Sequence, residues 1–182
     1  MKNRFLQQAK REYGPNQRSA ALAVEAVFFL GILPLALLLL GGLLDRWLSW
    51  PKLMLPPVNA IVGALLIATG WGLGIWSVYV QFTLGRGTPV PLMATQKLLI
   101  CPPYSHCRNP MALGAIVLYL GVSVATGSPG AALLWLLGAA ALLTYIRLVE
   151  EREMVARFGE EYLAYRRRVP FIIPRLPGVL LR

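Results

Sequence analysis

The chain has 182 residues and a formal net charge of +10, with 57% hydrophobic and only 14% charged residues. This composition argues against an ordinary soluble domain and favours a protein of the lipid bilayer. The positive charge does not indicate a nucleic-acid partner, because the basic residues lie mainly between and beyond long apolar blocks. We therefore expect an all-α, polytopic transmembrane helical bundle.

The first apolar block, residues 19–44, follows a basic arm at 1–18 and contains one charge, Glu25. The block exceeds the roughly 20 residues that cross a bilayer, and it is too long for a cleaved signal peptide, so we expect a retained membrane helix. Gly31 and Pro34 predict a kink. Glu25 should face protein or water, and we favour a side chain that snorkels towards the interface over a functional one.

The second block, residues 58–84, contains no charge and is again longer than a bilayer requires. Gly70 and Gly74 are spaced four residues apart, a pattern that lets another helix backbone come close. We interpret these glycines as packing positions. Strict alternation of apolar and polar residues is absent from the sequence, so we expect no sheet.

A third uncharged run, Met111–Ile146, is interrupted by Gly-Ser-Pro-Gly at 127–130, which predicts a helical hairpin. Each arm is near or below the roughly 17-residue lower limit for crossing a bilayer, unless polar ends extend it. The second arm is expected to leave the membrane and end at Gly159. The predicted organisation is a basic arm at 1–18 and one membrane domain at 19–182, with helices at 19–44, 58–84, 110–126 and 131–158 and a tail at 159–182.

The basic residues also predict sidedness. Five precede Ser19, three lie between Leu84 and Pro110, eight lie from Arg147 onward, and only two lie between the first two blocks. By the positive-inside rule, both termini and the segment 85–109 are expected in the cytoplasm, with the cell inner membrane as the location.

The segment from Gly85 to Gly114 is a polar island between apolar blocks. Asn109 is a good helix N-cap and Pro110 a good first helical residue. Arg108 lies beside them, and a helix start next to an arginine is a site for an anion. Further along the chain, Glu150 and Glu151 are expected on the same membrane face, so the island and the two acids could share a pocket.

An ordered set of motifs runs through the second half of the chain: Gly85-Arg86-Gly87-Thr88-Pro89, Pro102 and Tyr104, Arg108-Asn109-Pro110-Met111 with Gly114, Glu150-Glu151, Phe158-Gly159, Tyr162, Tyr165 and Pro174. The set resembles the isoprenylcysteine carboxyl methyltransferase and phospholipid methyltransferase superfamily of integral-membrane enzymes. That resemblance implies S-adenosylmethionine as cofactor. It implies cofactor-binding roles for Gly85, Gly87, Tyr104, Arg108, Asn109, Pro110, Gly114, Glu150 and Glu151, and substrate-binding roles for Tyr162 and Tyr165. We add His106, which lies between these motifs, as a further cofactor-binding candidate.

The chemistry of methyl transfer suits these residues. Arg108 could hold the cofactor carboxylate, and Glu150 or Glu151 could accept hydrogen bonds from ribose hydroxyls or the ammonium. We therefore assign catalytic roles to Glu150 and Arg108. Glu150 is the candidate base for an amine acceptor, with His106 second. The expected acceptor is a lipophilic molecule or lipid from the bilayer, and its atom could be a carboxylate oxygen, an amine nitrogen or a thiol sulfur.

Plainer interpretations remain open. Arg147 with Glu151 and Glu153 with Arg157 are spaced for ion pairs on a solvated helix. Arg108 could anchor at the lipid phosphates. The spacing of Cys101, His106 and Cys107 is poor for a metal, and a cytoplasmic disulfide is not expected. The alternative to an enzyme is a non-catalytic scaffold or lipid-binding protein on the same fold.

Overall fold

The computed structural model of the chain describes residues 14–85, 95 and 97–174. Most of the basic arm, the residues Arg86 and Gly87 of the glycine motif, and the end of the tail lie outside the described residues. The described part contains helices and no strand, which confirms the all-α prediction. The helices are α1 (Pro15–Val27), α2 (Leu33–Leu48), α3 (Val58–Thr83), α4 (Pro110–Thr126), α5 (Pro129–Tyr145) and α6 (Glu151–Arg168).

Two π-helical turns join these helices into longer rods. Phe28–Ile32 connects α1 to α2, and Ile146–Glu150 connects α5 to α6. In the first turn the Leu33 amide donates to the Phe28 carbonyl, five residues back. Pro34 follows at once, and its ring would clash with a carbonyl in regular α-helical geometry. The irregular backbone expected near Gly31 and Pro34 therefore takes the form of a wider turn.

Three rods in the described part are long and apolar enough to cross a membrane: Asn16–Leu48, Val58–Thr83 and Pro129–Arg168. Helix α4 is also apolar but has only 17 residues. Four apolar helical segments are thus present, and the prediction of a helical membrane bundle is confirmed. The second arm of the hairpin, α5, reaches membrane-spanning length because it continues through the π-helical turn into α6. The first arm, α4, has no such extension.

Helices α3 and α4 pack against each other, antiparallel, through glycines. A Cβ atom added at Gly70 would lie 2.6 Å from the Gly114 carbonyl oxygen, and one at Gly114 would lie 2.8 Å from the Gly74 amide nitrogen. Both distances are shorter than Cβ contacts in real proteins. The packing interpretation is confirmed for Gly70, and Gly114 belongs to the same contact; Gly74 contributes backbone atoms to it, but a Cβ at Gly74 itself would meet nothing within 4 Å.

The hairpin turn between α4 and α5 lies at the end of the bundle where α2 ends and α3 begins. Gly127 has a left-handed φ of 63°, and the Ser128 hydroxyl accepts from the Ala131 amide at 2.9 Å, capping α5. The Leu53 amide donates to the Gly127 carbonyl at 2.9 Å, and the Asp45 carboxylate accepts from the Gly130 amide at 2.7 Å. The end of α2 and the loop after it are therefore fixed to this turn.

The expected helix end at Gly159 is a break rather than a terminus. Gly159 has φ 54° and ψ −128°, and helical geometry then resumes as far as Arg168. Tyr162 and Tyr165 in the resumed part are both buried, which gives it an apolar face to pack. The described tail accordingly begins at Val169 rather than at Gly159.

Candidate active site

The ends of α1, α3, α4 and α6 meet at the end of the bundle opposite the hairpin turn. The Arg18 guanidinium of α1 donates to the Phe82 carbonyl near the end of α3 and lies 4.5 Å from the Phe82 ring centroid. Arg108, just before α4, pairs with Glu151 at the start of α6. The convergence predicted for the polar island and the acidic turn is therefore present.

Arg108 is engaged on several sides. Its Nε and Nη2 atoms donate to Glu151 Oε1 at 3.0 and 2.6 Å, and its Nη1 donates to the carbonyls of Arg166 and Val169 at 3.0 and 2.6 Å. Its backbone amide donates to the Pro170 carbonyl at 2.8 Å. These contacts hold the loop before α4 against α6 and the segment that follows it, so anchoring at lipid phosphates is wrong as an account of this side chain.

Glu151 is only 4% exposed, so it is not part of a solvated helix face. Besides Arg108 it lies 3.7 Å from Arg166 Nε. Arg147, which the spacing favoured as its partner, instead lies over the Phe171 ring at 5.3 Å. The other predicted pair is present, with Arg157 Nη1 at 3.2 Å from Glu153 Oε1.

Asn109 does not cap α4 with its side chain. Its amide nitrogen donates to the Phe171 carbonyl at 2.9 Å, so the side chain points towards the C-terminal segment. Pro110 is the first helical residue, as expected, and the Leu113 amide donates to the Asn109 carbonyl at 3.0 Å. Asn109 thus occupies the predicted N-cap position, but the predicted capping hydrogen bond is wrong. The Asn109 side chain accepts no hydrogen bond from the amides of Met111 and Ala112.

Three tyrosines pack beneath this end of the bundle. The Tyr104 hydroxyl lies 3.0 Å from Gln81 Oε1 and 3.2 Å from the Ser77 carbonyl, and the Tyr165 hydroxyl donates to the Tyr104 carbonyl at 2.6 Å. Burial, followed by the proximity of Tyr165, raises the pKa of Tyr104, so its hydroxyl stays a neutral donor. The ring of Tyr162 lies 6.0 Å from that of Tyr165.

A cavity of about 860 Å³ lies between these helix ends and is open on one side. This volume is near the upper end of the roughly 300–1,000 Å³ range of small-molecule pockets. Among its lining residues are eight of the predicted site residues: Tyr104, Arg108, Asn109, Gly114, Glu150, Glu151, Tyr162 and Tyr165. Glu150 reaches the cavity from the π-helical turn, a kind of irregularity that is frequent at functional sites.

Other predicted site residues do not line the cavity. Gly85 is buried, and a Cβ there would lie 2.7 Å from the Gln81 carbonyl oxygen, which indicates a packing role. Pro110 is fully buried. His106 lies within 3.3 Å of the Ser105 hydroxyl, in the loop before α4, and is outside the lining. Gly87 lies outside the described residues.

Further polar residues that the sequence analysis did not assign to the site also line the cavity, among them Glu25, Gln81, Lys97, Tyr119, Glu153 and Arg157. Glu25 is 4% exposed, so the snorkelling interpretation is wrong. Its helix face turns towards α3 and α4 rather than towards lipid. In the sequence, Glu25 is recognisable as a polar residue within an otherwise apolar helix, which is the feature that could have assigned it to the cavity. Gln81 and Tyr119 share this feature.

The cavity reaches the lateral surface of the bundle between α1 and α3. Trp71, Ile75 and Tyr79 recur at one-turn intervals along α3, line the cavity, and are between 45% and 66% exposed. Leu30, in the turn after α1, lines the cavity too and is half exposed. Since these side chains lie on rods of membrane-spanning length, the opening faces the hydrocarbon side of the protein.

Comparison with known proteins gives a family and two relatives. A family model described as phospholipid methyltransferase matches residues 58–161. Methanethiol S-methyltransferase 2 of Bradyrhizobium diazoefficiens is 32% identical over 103 residues, which are 57% of this chain and 36% of that protein. Methanethiol S-methyltransferase of Mycobacterium tuberculosis is 27% identical over 128 residues, which are 70% of this chain and 46% of that protein. The chain thus matches less than half the length of either relative. No solved structure matches significantly.

Proposed function

Because the chain belongs to the phospholipid methyltransferase family, we propose that it transfers a methyl group from S-adenosylmethionine to a lipophilic acceptor that enters from the bilayer. The observation that carries this proposal is the cavity itself. It gathers Tyr104 and Arg108 from the loop before α4, Glu150 from the turn before α6, and Tyr162 from α6. It also opens laterally, where an apolar acceptor could enter.

The residues that line the cavity suit the cofactor. Glu150 is the carboxylate at this end of the cavity best placed to accept hydrogen bonds from ribose hydroxyls or an ammonium group, because Glu151 and Glu153 are already paired with Arg108 and Arg157. A carboxylate of the cofactor would be received by the amides of Met111 and Ala112, with Lys97 as a nearby cation. Bound in this way, the cofactor supplies an electrophilic methyl group on a sulfonium sulfur.

We assign Arg108 a positioning role instead of direct contact with the cofactor carboxylate. Its contacts with Glu151 and with the carbonyls of Arg166 and Val169 fix the loop before α4 against α6. Both segments line the cavity, so these contacts fix the relative position of two of its sides. Tyr162 and Tyr165 form an apolar wall with a polar edge on the α6 side. Catalysis would come from orientation and exclusion of water, which can supply much of the rate enhancement of a direct transfer.

The proposed acceptor is a small lipophilic thiol or a phospholipid amine. The names of the two relatives specify methanethiol, and the family description specifies phospholipids. Following the positive-inside prediction, we place the polar end of the cavity at the cytoplasmic face of the inner membrane, with both termini on that side. The cofactor would then come from the cytosol and the acceptor from the lipid.

A cofactor titration tests this function. S-adenosylmethionine is titrated into the purified protein in phosphatidylcholine nanodiscs, and into its Glu150→Gln variant, with the exposed Glu160→Gln as matched control. We expect saturable binding that weakens about tenfold in Glu150→Gln, because a charge-assisted hydrogen bond is lost, and that is unchanged in the control. Absence of binding by the intact protein would favour the non-catalytic scaffold. If Glu150→Gln binds S-adenosylmethionine as tightly as the intact protein and Glu160→Gln do, the assignment of Glu150 is overturned.

A further inference from the structure

A second cavity, of about 360 Å³, lies where α5 passes into α6, and the only residue that also lines the first cavity is Glu151. We call it the arginine pocket, because it is lined by Arg147, Glu151, Arg152, Val155 and Arg166. Its volume is within the roughly 300–1,000 Å³ range of small-molecule pockets. The proposed contacts with the cofactor and the acceptor use none of its arginines, so the pocket is a separate place for a ligand.

Positive charge exceeds negative charge in the arginine pocket. Glu151 is the one acid that lines it, and Glu151 Oε1 already accepts two hydrogen bonds from Arg108. The other carboxylate oxygen lies 3.7 Å from Arg166 Nε. Within the described part of the chain, Arg147 and Arg152 form no ion pair. One carboxylate thus accompanies four guanidinium groups, and a bound anion would relieve the repulsion among them.

The fold holds the arginines of the pocket in place. The break at Gly159 interrupts α6, and the resumed helix brings Arg166 back to the start of α6, where its carbonyl accepts from Arg108 Nη1 at 3.0 Å. The Arg147 guanidinium lies over the Phe171 ring at 5.3 Å. An anion would therefore meet groups that are already positioned, which lowers the entropic cost of binding. This arrangement favours a defined site over a diffuse attraction.

The arginine pocket borders a surface that faces lipid. Tyr145 and Leu148 flank Arg147 in sequence and are 43% and 51% exposed, on the membrane-spanning rod Pro129–Arg168. Exposed tyrosines and arginines at the end of an apolar helix are typical of the boundary between hydrocarbon and water. Arg152, further along the rod, is exposed as well. Apolar surface beside a cluster of cations suits a lipid that carries a phosphate better than a free phosphate.

We propose that the arginine pocket binds the headgroup phosphate of an anionic membrane phospholipid. Arg147 and Arg152 donate to the phosphate oxygens, since the planar guanidinium group matches phosphate in geometry as well as in charge. The acyl chains lie along the exposed surface at Tyr145 and Leu148. In the proposed orientation the pocket is at the cytoplasmic leaflet, where basic pockets recognise anionic headgroups. The bound lipid is distinct from the methyl acceptor, which occupies the first cavity.

Competition between two lipids with the same acyl chains tests this site. The purified protein in detergent is mixed with equal amounts of phosphatidylglycerol and phosphatidylcholine, and native mass spectrometry counts the lipids that stay bound. We expect one phosphatidylglycerol to be retained in preference. Arg147→Gln and Arg152→Gln should each weaken its binding about fivefold, the effect of removing one arginine near an anionic headgroup. Arg167→Gln removes an exposed arginine of α6 outside the pocket and should behave like the intact protein.

Three outcomes would overturn the inference. Equal retention of the two lipids by the intact protein would remove the preference for an anionic headgroup. A loss in Arg167→Gln as large as in the two pocket variants would indicate a diffuse attraction to basic surface. Inorganic phosphate at millimolar concentration should leave the lipid bound, and displacement by it would assign the pocket to a soluble anion. Thermal unfolding in phosphatidylcholine nanodiscs shows whether each variant is folded, and either pocket variant suffices if the other does not fold.

Discussion

Arg108 and Glu151 lie 43 positions apart in sequence, yet two nitrogens of the guanidinium reach the same carboxylate oxygen at 3.0 and 2.6 Å. The exposed fractions of the two side chains are only 10% and 4%. Breaking a buried ion pair leaves an uncompensated charge, whereas the pair itself contributes little net stability. This pair therefore fixes the relative position of the α4 start and the α6 start.

The first prediction concerns the stability that depends on this pair. Arg108→Ala should lower the free energy of unfolding by about 3–5 kcal/mol, because Glu151 is left buried without its main partner. The double variant Arg108→Ala, Glu151→Ala should recover part of that loss, since no carboxylate is then stranded. Thermal unfolding in nanodiscs measures both variants. Arg152→Ala, which removes an exposed arginine from the same helix, is the control and should stay close to the intact protein.

If Arg108→Ala unfolds at the temperature of the intact protein, the pair is not structural. The original assignment, in which Arg108 binds the cofactor carboxylate directly, would then be favoured. A loss of cofactor affinity with unchanged stability would point the same way.

The sequence predicts the helices well because lipid imposes a simple rule. A backbone in hydrocarbon must satisfy its own hydrogen bonds, so uncharged blocks of sufficient length become helices. The glycines of α3 were also interpretable, since small side chains have a direct packing consequence. The resemblance to membrane methyltransferases, carried by ordered motifs, is confirmed by the family match.

The detailed contacts depend on how helix faces are oriented, which one sequence does not determine. Asn109 has the residue type of an N-cap, but the nearby Phe171 carbonyl takes its amide hydrogen. Arg147 has the right spacing for Glu151, but Arg108 occupies the carboxylate. Glu25 is recognisable as a charge in an apolar block, but only the packing of α1 shows that it faces the cavity.

A second prediction compares two glycines of α3. Gly70→Ala should destabilise the protein by about 1–3 kcal/mol, because the new methyl group would lie 2.6 Å from the Gly114 carbonyl oxygen and would force the helices apart. Gly72→Ala should be neutral or stabilise by roughly 0.5–1 kcal/mol, since a Cβ there meets nothing within 4 Å and alanine favours helix. Thermal unfolding of the two variants side by side gives the signs. Equal shifts would contradict the close contact of α3 with α4.

The third prediction concerns the two cysteines. Cys107 is 1% exposed, and burial raises the pKa of its thiol above the ordinary value. Because the thiolate is the reactive form, a raised pKa leaves less of it at a given pH, and the reaction should grow only as the pH rises further. Cys101 is partly exposed. Iodoacetamide at pH about 8 should therefore modify Cys101 well before Cys107. Peptide mass spectrometry measures the ratio, and preferential modification of Cys107 would contradict the packing of this loop.

The last prediction concerns sidedness. Ser49 and Ser105 are exposed and lie towards opposite ends of the bundle, Ser49 beside the hairpin turn and Ser105 beside the cavity end. In a background with Cys101→Ser and Cys107→Ala, a single cysteine is placed at one of these positions, and intact cells are treated with a membrane-impermeant maleimide. Since most basic residues of the described part lie at the cavity end, we expect labelling of Ser49→Cys in intact cells and of Ser105→Cys only after the cells are opened. The reverse pattern would place the cavity on the external side, where cytosolic S-adenosylmethionine could not reach it, and the proposed direction of cofactor access would fail with it.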